Sequence, residues 1–353
     1  MSFFRGDTII YTINGTVRLD DLSKNDLILD KDGNYKEISE LNKSVYTKKM
    51  YKIKLHNSID NVFLTKNCKV FSIQNIPYEL KNFEIKNYIE NEKRSSSPKL
   101  IPINELTDFD FIGYPKPSFS EETYGETPDY YRFYGLIVSS GFSNNFLLDT
   151  IKNKNTIFFI KKFLLSRNIT YEEKHNETDV LLSFPDNNLN IKKFNYKFNN
   201  LNKECSIELL KGLIELSIKD NEKSFIYYKT NFKFYVYILK FLLMKFGILI
   251  SVFFYKDNND DNISYYVIRI PNSFFIKSIF EIDTKDILEN IEAYNDDDNN
   301  LTLNYFEYDN YIWTKVKFIK LIPYNGYVFD IKLKNNSGFI TELGLINNST
   351  TNI

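Results

Sequence analysis

The chain has 353 residues. That is long enough for two domains, because single hydrophobic cores stop growing near roughly 250–300 residues. Lys+Arg total 45 and Asp+Glu 46, a net charge of -1, which argues against a protein built for electrostatic capture of nucleic acid or of an anionic membrane. The two cysteines, Cys68 and Cys205, are too few for a disulfide framework and too far apart in sequence for a metal site. His56 and His175 are the only histidines and do not share an element, which excludes a two-histidine zinc motif. The start of the chain has no basic region followed by a long apolar run, so no signal peptide is expected. Ala293 is the only alanine, whereas Asn, Lys, Ile, Phe and Tyr abound. These abundant residues share AT-rich codons, so Asn-rich runs such as 258–262 are read as surface turns.

From residue 6 to about 120 the pattern predicts short strands. Thr8–Thr12 is a β-branched run, and Asn14-Gly15 is a hairpin signal. Val17–Leu22 and Asp26–Leu29 follow, then the turn Asp32-Gly33. Met50–Leu55 alternates apolar and polar residues, and Val62–Leu64 and Cys68–Ile73 read as further strands. Strands at this spacing indicate an all-β domain. Asn82–Leu100 is largely polar and contains Ser95-Ser96-Ser97-Pro98, so a mobile loop is expected there.

Past residue 120 the pattern becomes helical over Tyr130–Ser140, Thr150–Ser166, Ser206–Ser217 and Phe232–Phe246. Strand-like runs lie between, at Asp179–Phe184 and Ser264–Ile270. The longest apolar stretch, Tyr235–Phe254, is interrupted by Lys240 and Lys245. It reads as a buried helix followed by a strand, and no membrane span is expected. Such alternation suggests an α+β domain. After Asp296-Asp297-Asp298 the β character returns in Trp313–Ile322, Tyr327–Leu333 and Phe339–Ile346. A β domain that resumes after an α+β block suggests an insertion into one fold, which loop tips tolerate best.

Four short blocks at the two ends carry a resemblance. They are Gly6-Asp7-Thr8, Leu64-Thr65-Lys66-Asn67-Cys68-Lys69-Val70-Phe71, Gly326-Tyr327-Val328-Phe329-Asp330-Ile331, and residues 338–349, which end Asn347-Asn348-Ser349. Two stretches in the middle belong with them: Phe133-Tyr134-Gly135-Leu136-Ile137-Val138-Ser139-Ser140-Gly141 and Leu210-Lys211-Gly212-Leu213-Ile214-Glu215-Leu216-Ser217. In order and position these resemble an intein with an embedded LAGLIDADG homing endonuclease. The resemblance implies an all-β, horseshoe-like Hint splicing domain, interrupted by an α+β LAGLIDADG-type domain with two pseudo-symmetric halves. It divides the chain into 2–118 and 306–348 for splicing, 119–305 for the endonuclease-like insertion, and 349–353 for a C-terminal flank. Gly135 and Gly212 are expected where paired helices approach, since a missing Cβ lets backbones meet.

The implied activity is autocatalytic protein splicing. A first nucleophile shifts the preceding acyl group from nitrogen to oxygen. A second, just after the element, captures that group by transesterification. A terminal Asn cyclises on its own carbonyl and releases the element. Asn348 and Ser349 fit the last two roles. For the first role, counting back five residues from Thr8 lands on Phe3, which has no nucleophile. Ser2, one residue earlier, supplies the hydroxyl if one residue is inserted. Thr65 resembles the residue that holds the first scissile amide. Cys68 stands where the family has a histidine. A thiol near pKa 8.5 is a poor donor to an amide nitrogen, and Cys68 reads equally well as a small buried apolar residue. Asp330 resembles the aspartate that links the first steps to cyclisation. Asn347 replaces the histidine that assists cyclisation, and an amide cannot shuttle a proton. Loss of such a group costs about 10²–10⁴ in rate, so slow splicing is expected. His56, the only histidine of the β domain, is a further candidate near the site.

The family's nucleases place one acid at the C-terminal end of each motif helix, to hold divalent cations at the scissile phosphates. Here those positions are Ser140 and Ser217, and hydroxyls do not replace carboxylates as the main ligands of Mg²⁺. Glu215 lies about 200° away around its helix from Ser217. The nuclease is therefore expected to be degenerate. Splicing then needs no cofactor, with Mg²⁺ required only if the nuclease is active. The implied partners are the host-protein flanks in cis and, weakly, DNA. A monomer is expected, with no membrane attachment and an intracellular location that follows the host. The rival expectations are an active homing endonuclease and a splicing-dead relic.

Overall fold

Strands dominate the two ends of the chain because apolar side chains recur there with a period of two. Along Lys49–Leu55 the buried side chains are Met50, Ile53 and Leu55, with exposed or half-buried residues between them. The computed structural model describes residues 3–77, 80, 82–91, 97–121, 126–141, 143–185, 197–216, 218–219, 225–256, 264–271, 304–334 and 338–347. Among these the α-helices are α1 (Asn82–Asn91), α2 (Pro128–Ser139), α3 (Lys154–Ser166), α4 (Lys203–Glu215) and α5 (Lys233–Lys245). None is long and apolar enough to cross a membrane.

The chain divides into two units. The first comprises Met1–Ser118, Val236–Phe253 and Leu288–Ile353. Among the described residues, fifteen of its strands form one hydrogen-bonded network. The N-terminal strand Phe4–Arg5 is central to this unit's geometry. It pairs antiparallel with Gly326–Leu333 on one side (Phe4 opposite Phe329) and with Val62–Leu64 on the other (Phe4 opposite Leu64). The last strand, Gly344–Asn347, pairs with Lys69–Ile73, setting Asn347 opposite Lys69. Both ends of the described chain therefore flank the turn that joins Val62–Leu64 to Lys69–Ile73. The core beneath is aliphatic and aromatic: Phe4, Ile10, Tyr11, Ile28, Leu64, Val70, Phe339 and Ile346 are all buried in it.

Three expectations differ from the structure in this unit. The polar stretch 82–100 is not a loop throughout. It contains α1, whose Ile85 and Ile89, four residues apart on one face, enter a cluster with Ile73, Phe111 and Trp313. A single apolar stripe is enough to dock a helix in a largely polar stretch. The boundary at 119–305 also differs, because Val236–Phe253 packs with the first unit. Phe241, Met244 and Leu249 supply the reason, being buried in the same core as Phe4 and Tyr11. The strand expected over Phe339–Ile346 is instead two strands, Phe339–Thr341 and Gly344–Asn347, folded back at Glu342-Leu343.

The second unit comprises Phe119–Tyr235 and Phe254–Ile287. Pro128 begins α2, where its missing N–H leaves no bond unmade. Asn202 caps α4, its side chain accepting the Cys205 N–H at 2.8 Å. The strands Asn145–Asp149, Asp179–Ser183 and Glu172–His175 form a sheet with the middle one in the centre. Its apolar side packs Phe146, Leu148, Val180 and Leu182 against Phe133, Ile160 and Phe163 of α2 and α3.

Candidate functional site

The turn after Val62–Leu64 grips the start of the chain. Thr65 Oγ1 accepts a hydrogen bond from Phe3 N at 2.9 Å, and Thr65 N donates to Phe3 O at 3.0 Å. Cys68 N closes the turn on Thr65 O at 3.1 Å. The Cys68 thiol lies 3.7 Å from Phe3 O and 3.9 Å from Thr65 Oγ1. Thr65 and Cys68 are both buried, so these bonds form with little competition from water. The nitrogen held by Thr65 belongs to the peptide bond between residues 2 and 3. That is one residue downstream of the bond that a Ser2 hydroxyl attacks, and it matches the count of five back from Thr8.

Asp330 is nearly buried and follows Phe329, the residue opposite Phe4. Continuing that antiparallel register carries Asp330 toward Phe3. Asn347 is buried at the end of the last described strand, paired with Lys69, the residue after Cys68. The structure thus places Thr65 and Cys68 in the turn that holds Phe3, Asp330 on a strand paired with Phe4–Arg5, and Asn347 on the strand paired with Lys69–Ile73. Ser2, Asn348 and Ser349 lie outside the described residues. His56 does not join the Thr65 turn in any contact seen. Its main-chain N–H donates to Lys315 O, and burial together with Lys317 and Lys315 pushes its imidazole down to about 4.

The two motif helices of the second unit meet at their glycines. A Cβ placed on Gly212 would lie 2.0 Å from Arg132 O and 2.9 Å from Gly135 Cα. The close approach expected at Gly135 and Gly212 is what the structure has. At the end of α2 the Ser140 hydroxyl donates back to Ile137 O at 2.9 Å, capping its own helix. Glu215 is committed elsewhere: it pairs with Arg132 (2.7 Å) and accepts from Thr156 Oγ1 (2.6 Å). Among the described residues no group of three or more His, Cys, Asp or Glu is placed to share a metal ion. A hydroxyl turned onto its own helix and a carboxylate tied to arginine do not fit a divalent cation site at the end of α2. Ser217 lies outside the described residues.

One buried constellation was not anticipated. Glu342, at the fold-back of the last two strands, has no solvent exposure. Its carboxylate accepts from Lys240 Nζ at 3.0 Å to each oxygen, from Ile59 N at 2.6 Å and from the Tyr11 hydroxyl. The Tyr114 hydroxyl donates to its main-chain oxygen. Desolvation lowers the Lys240 amine from its ordinary value, against the pull of Glu342. The signal was a lysine inside the apolar run 235–254, since a buried ammonium requires an anionic partner.

No protein-family model and no curated protein matches the chain. Solved structures of the homing endonuclease I-DmoI are similar to part of it. One, from work on mesophilic variants of that enzyme, has a TM-score of 0.33 at 13% identity and covers 43% of this chain and 86% of that one. A second, of I-DmoI with DNA and Ca, has a TM-score of 0.33 at 12% identity over 50% of this chain and 93% of that one. A third, of I-DmoI with DNA and Mn, has a TM-score of 0.32 at 12% identity over 44% and 93%.

Proposed function

We propose that this chain is a self-splicing protein element with a Hint-type first unit and a degenerate endonuclease-like second unit. One observation carries the reading: the turn Thr65–Cys68 holds the main chain of Phe3 while the strand ending at Asn347 runs beside Lys69. Joining two flanks requires both junctions within bonding distance of each other, and the approach of Phe3 and of the Asn347 strand to one turn supports this reading.

In this reading Ser2 Oγ attacks the carbonyl before it. The amide becomes an ester, and the hydroxyl proton passes to the freed Ser2 amine. Ser349 Oγ then attacks that ester and releases the Ser2 hydroxyl. Asn348 Nδ2 attacks its own main-chain carbonyl, closing a succinimide and freeing the Ser349 amine. That amine takes the acyl group from its own oxygen, which leaves an amide between the flanks. Thr65 and Cys68 act on the first junction, and Asp330 and Asn347 on the link to cyclisation. The hold on Phe3 N favours a second version of the first step. Here Ser349 Oγ attacks the Ser2 carbonyl directly, the bond between Ser2 and Phe3 breaks, and the hydroxyl proton passes to the freed Phe3 amine. In either version the element's location follows its host, and its partners are the flanks in cis.

The test places the chain between two foreign flanks and weighs the products. A ligated flank product, lost when Asn348→Ala blocks C-terminal release, is the expected result. The mass of the excised element separates the two versions, since it begins at Ser2 in one and at Phe3 in the other. Unchanged precursor after prolonged incubation would sink the proposal and leave the relic reading. Mg²⁺-dependent double-strand cleavage of an intein-free DNA would instead establish an active nuclease.

A further inference from the structure

We infer that Lys240 is a positioning residue: through Glu342 it fixes the register of the two-strand hairpin that ends at Asn347. Residues 236–253 are thereby part of the processing unit. The geometry stands by itself, and only its consequence for the junction rests on the splicing reading.

The hairpin joins Phe339–Thr341 to Gly344–Asn347 through only Glu342 and Leu343. Leu343 N donates to Thr341 Oγ1 at 3.0 Å, and Gly344 adopts φ +84°, where a side chain is strained. A Cβ on Gly344 would also lie 2.7 Å from Gly113 O. With an apolar residue at position 342, the tight turn at Gly344 would be the main local constraint on this register. A shift by one residue would turn every side chain of the last strand to the opposite face and move Asn347 from Lys69. Glu342 adds a second, polar constraint against it. Its two oxygens are satisfied from three directions: Tyr11 on one strand, the Ile59 amide on a loop, and Lys240 on α5. The Lys240 ammonium also lies 4.9 Å from the centre of the Tyr114 ring, and the Tyr114 hydroxyl reaches the Glu342 carbonyl. A slipped hairpin would bury both charges apart.

A buried ion pair adds little net stability over a well-packed apolar pair, because desolvation offsets the attraction. Its best-attested use is to specify one arrangement among several. That is the use this position calls for, since the catalytic step proposed at Asn348 lies six residues from Glu342 in the sequence. The same loop that donates from Ile59 also carries Asp60, which accepts from the Tyr237 hydroxyl, one turn of α5 before Lys240. Asn57 donates to Ile250 O at 3.0 Å, just past the end of α5. The helix is therefore fastened along its length to the elements that surround Glu342.

The test uses the full-length chain. Lys240→Met alone strands a buried carboxylate, so the informative variant is Lys240→Met with Glu342→Gln, which is neutral and similar in volume. Amide hydrogen exchange is the first readout. In the double variant, exchange across 339–347 rises about tenfold or more while the paired strands Lys49–Leu55 and Tyr311–Pro323 keep their protection. Lys240→Arg retains the charge and keeps most of the protection in the hairpin. Unchanged exchange at 339–347, or a uniform rise throughout the first unit, overturns the inference. The second readout is the ratio of C-terminal to N-terminal cleavage between foreign flanks, expected to fall in the double variant. Equal losses at both junctions would point to a structural role alone and count against it. If the unaltered chain yields no product, the splicing reading falls, and hydrogen exchange still decides the role of Lys240.

Discussion

Thr65 shows how far a single residue was legible. Its block suggested a side chain on a main-chain amide, and Thr65 Oγ1 does accept from Phe3 N. Which amide it would hold was not settled by the sequence, because Ser2 and Phe3 both satisfied part of the pattern. Glu342 lies inside the block 338–349 but had no role there, since its partners lie 102 and 331 residues away, at Lys240 and Tyr11. Spacing along a chain carries no information about partners at that separation. His56 offers a test at this scale. Burial first, then Lys317 and Lys315, lowers its imidazole from 6.5 to about 4. The folded value is below the unfolded one. Between those values the unfolded chain binds a proton that the folded chain refuses, so stability falls as pH drops from about 6.5 to 4 and is flat above that window with respect to this group. A proton NMR titration should find the His56 ring neutral at pH 5.5. A midpoint near 6.5 would refute the assignment.

At the scale of elements, periodicity did best where one face of a helix or strand is buried. The ranges expected for α2, α4 and α5 match within a few residues, as does Asp179–Ser183. The strand Tyr35–Tyr46 was missed. Only Ile38 is buried along its twelve residues, so no alternation marks it, and its place comes from main-chain pairing with Gly326–Leu333. The helix α1 was missed for the related reason that, among its described side chains, Ile85 and Ile89 are the buried apolar ones. The helix pair α2–α4 makes the sharpest prediction. Gly212→Ala places a methyl 2.0 Å from Arg132 O, a backbone atom that cannot step aside without moving α2. Overpacking of this kind typically costs about 1–3 kcal/mol. The variant should therefore unfold at a lower denaturant concentration, and the Arg132–Glu215 pair should loosen with it. An unchanged midpoint in the Gly212→Ala chain would mean that the helices do not meet at these glycines.

At the scale of the whole chain, the interrupted organisation was readable, but its seam was not. The pattern near residue 120 and past Asp296-Asp297-Asp298 suggested where β character stops and resumes. They gave no sign that residues 236–253 return to the first unit, because an apolar helix looks the same whichever core receives it. This has a consequence for cutting the chain down. Excising 119–305 removes Phe241, Met244 and Leu249 from the first unit's core. Each buried side chain of that size accounts for about 2–5 kcal/mol, and a domain's whole stability is about 5–15 kcal/mol. The excision also takes Lys240 away and leaves Glu342 as a buried carboxylate without its ammonium. The shortened chain should lack a cooperative melting transition and the near-ultraviolet circular dichroism of fixed aromatic rings. A second deletion that keeps 236–253, tethered by flexible linkers in place of 119–235 and 254–303, should recover both signals. If the first deletion melts as sharply as the second, the helix is a passenger in that core, and the seam lies where the composition alone placed it.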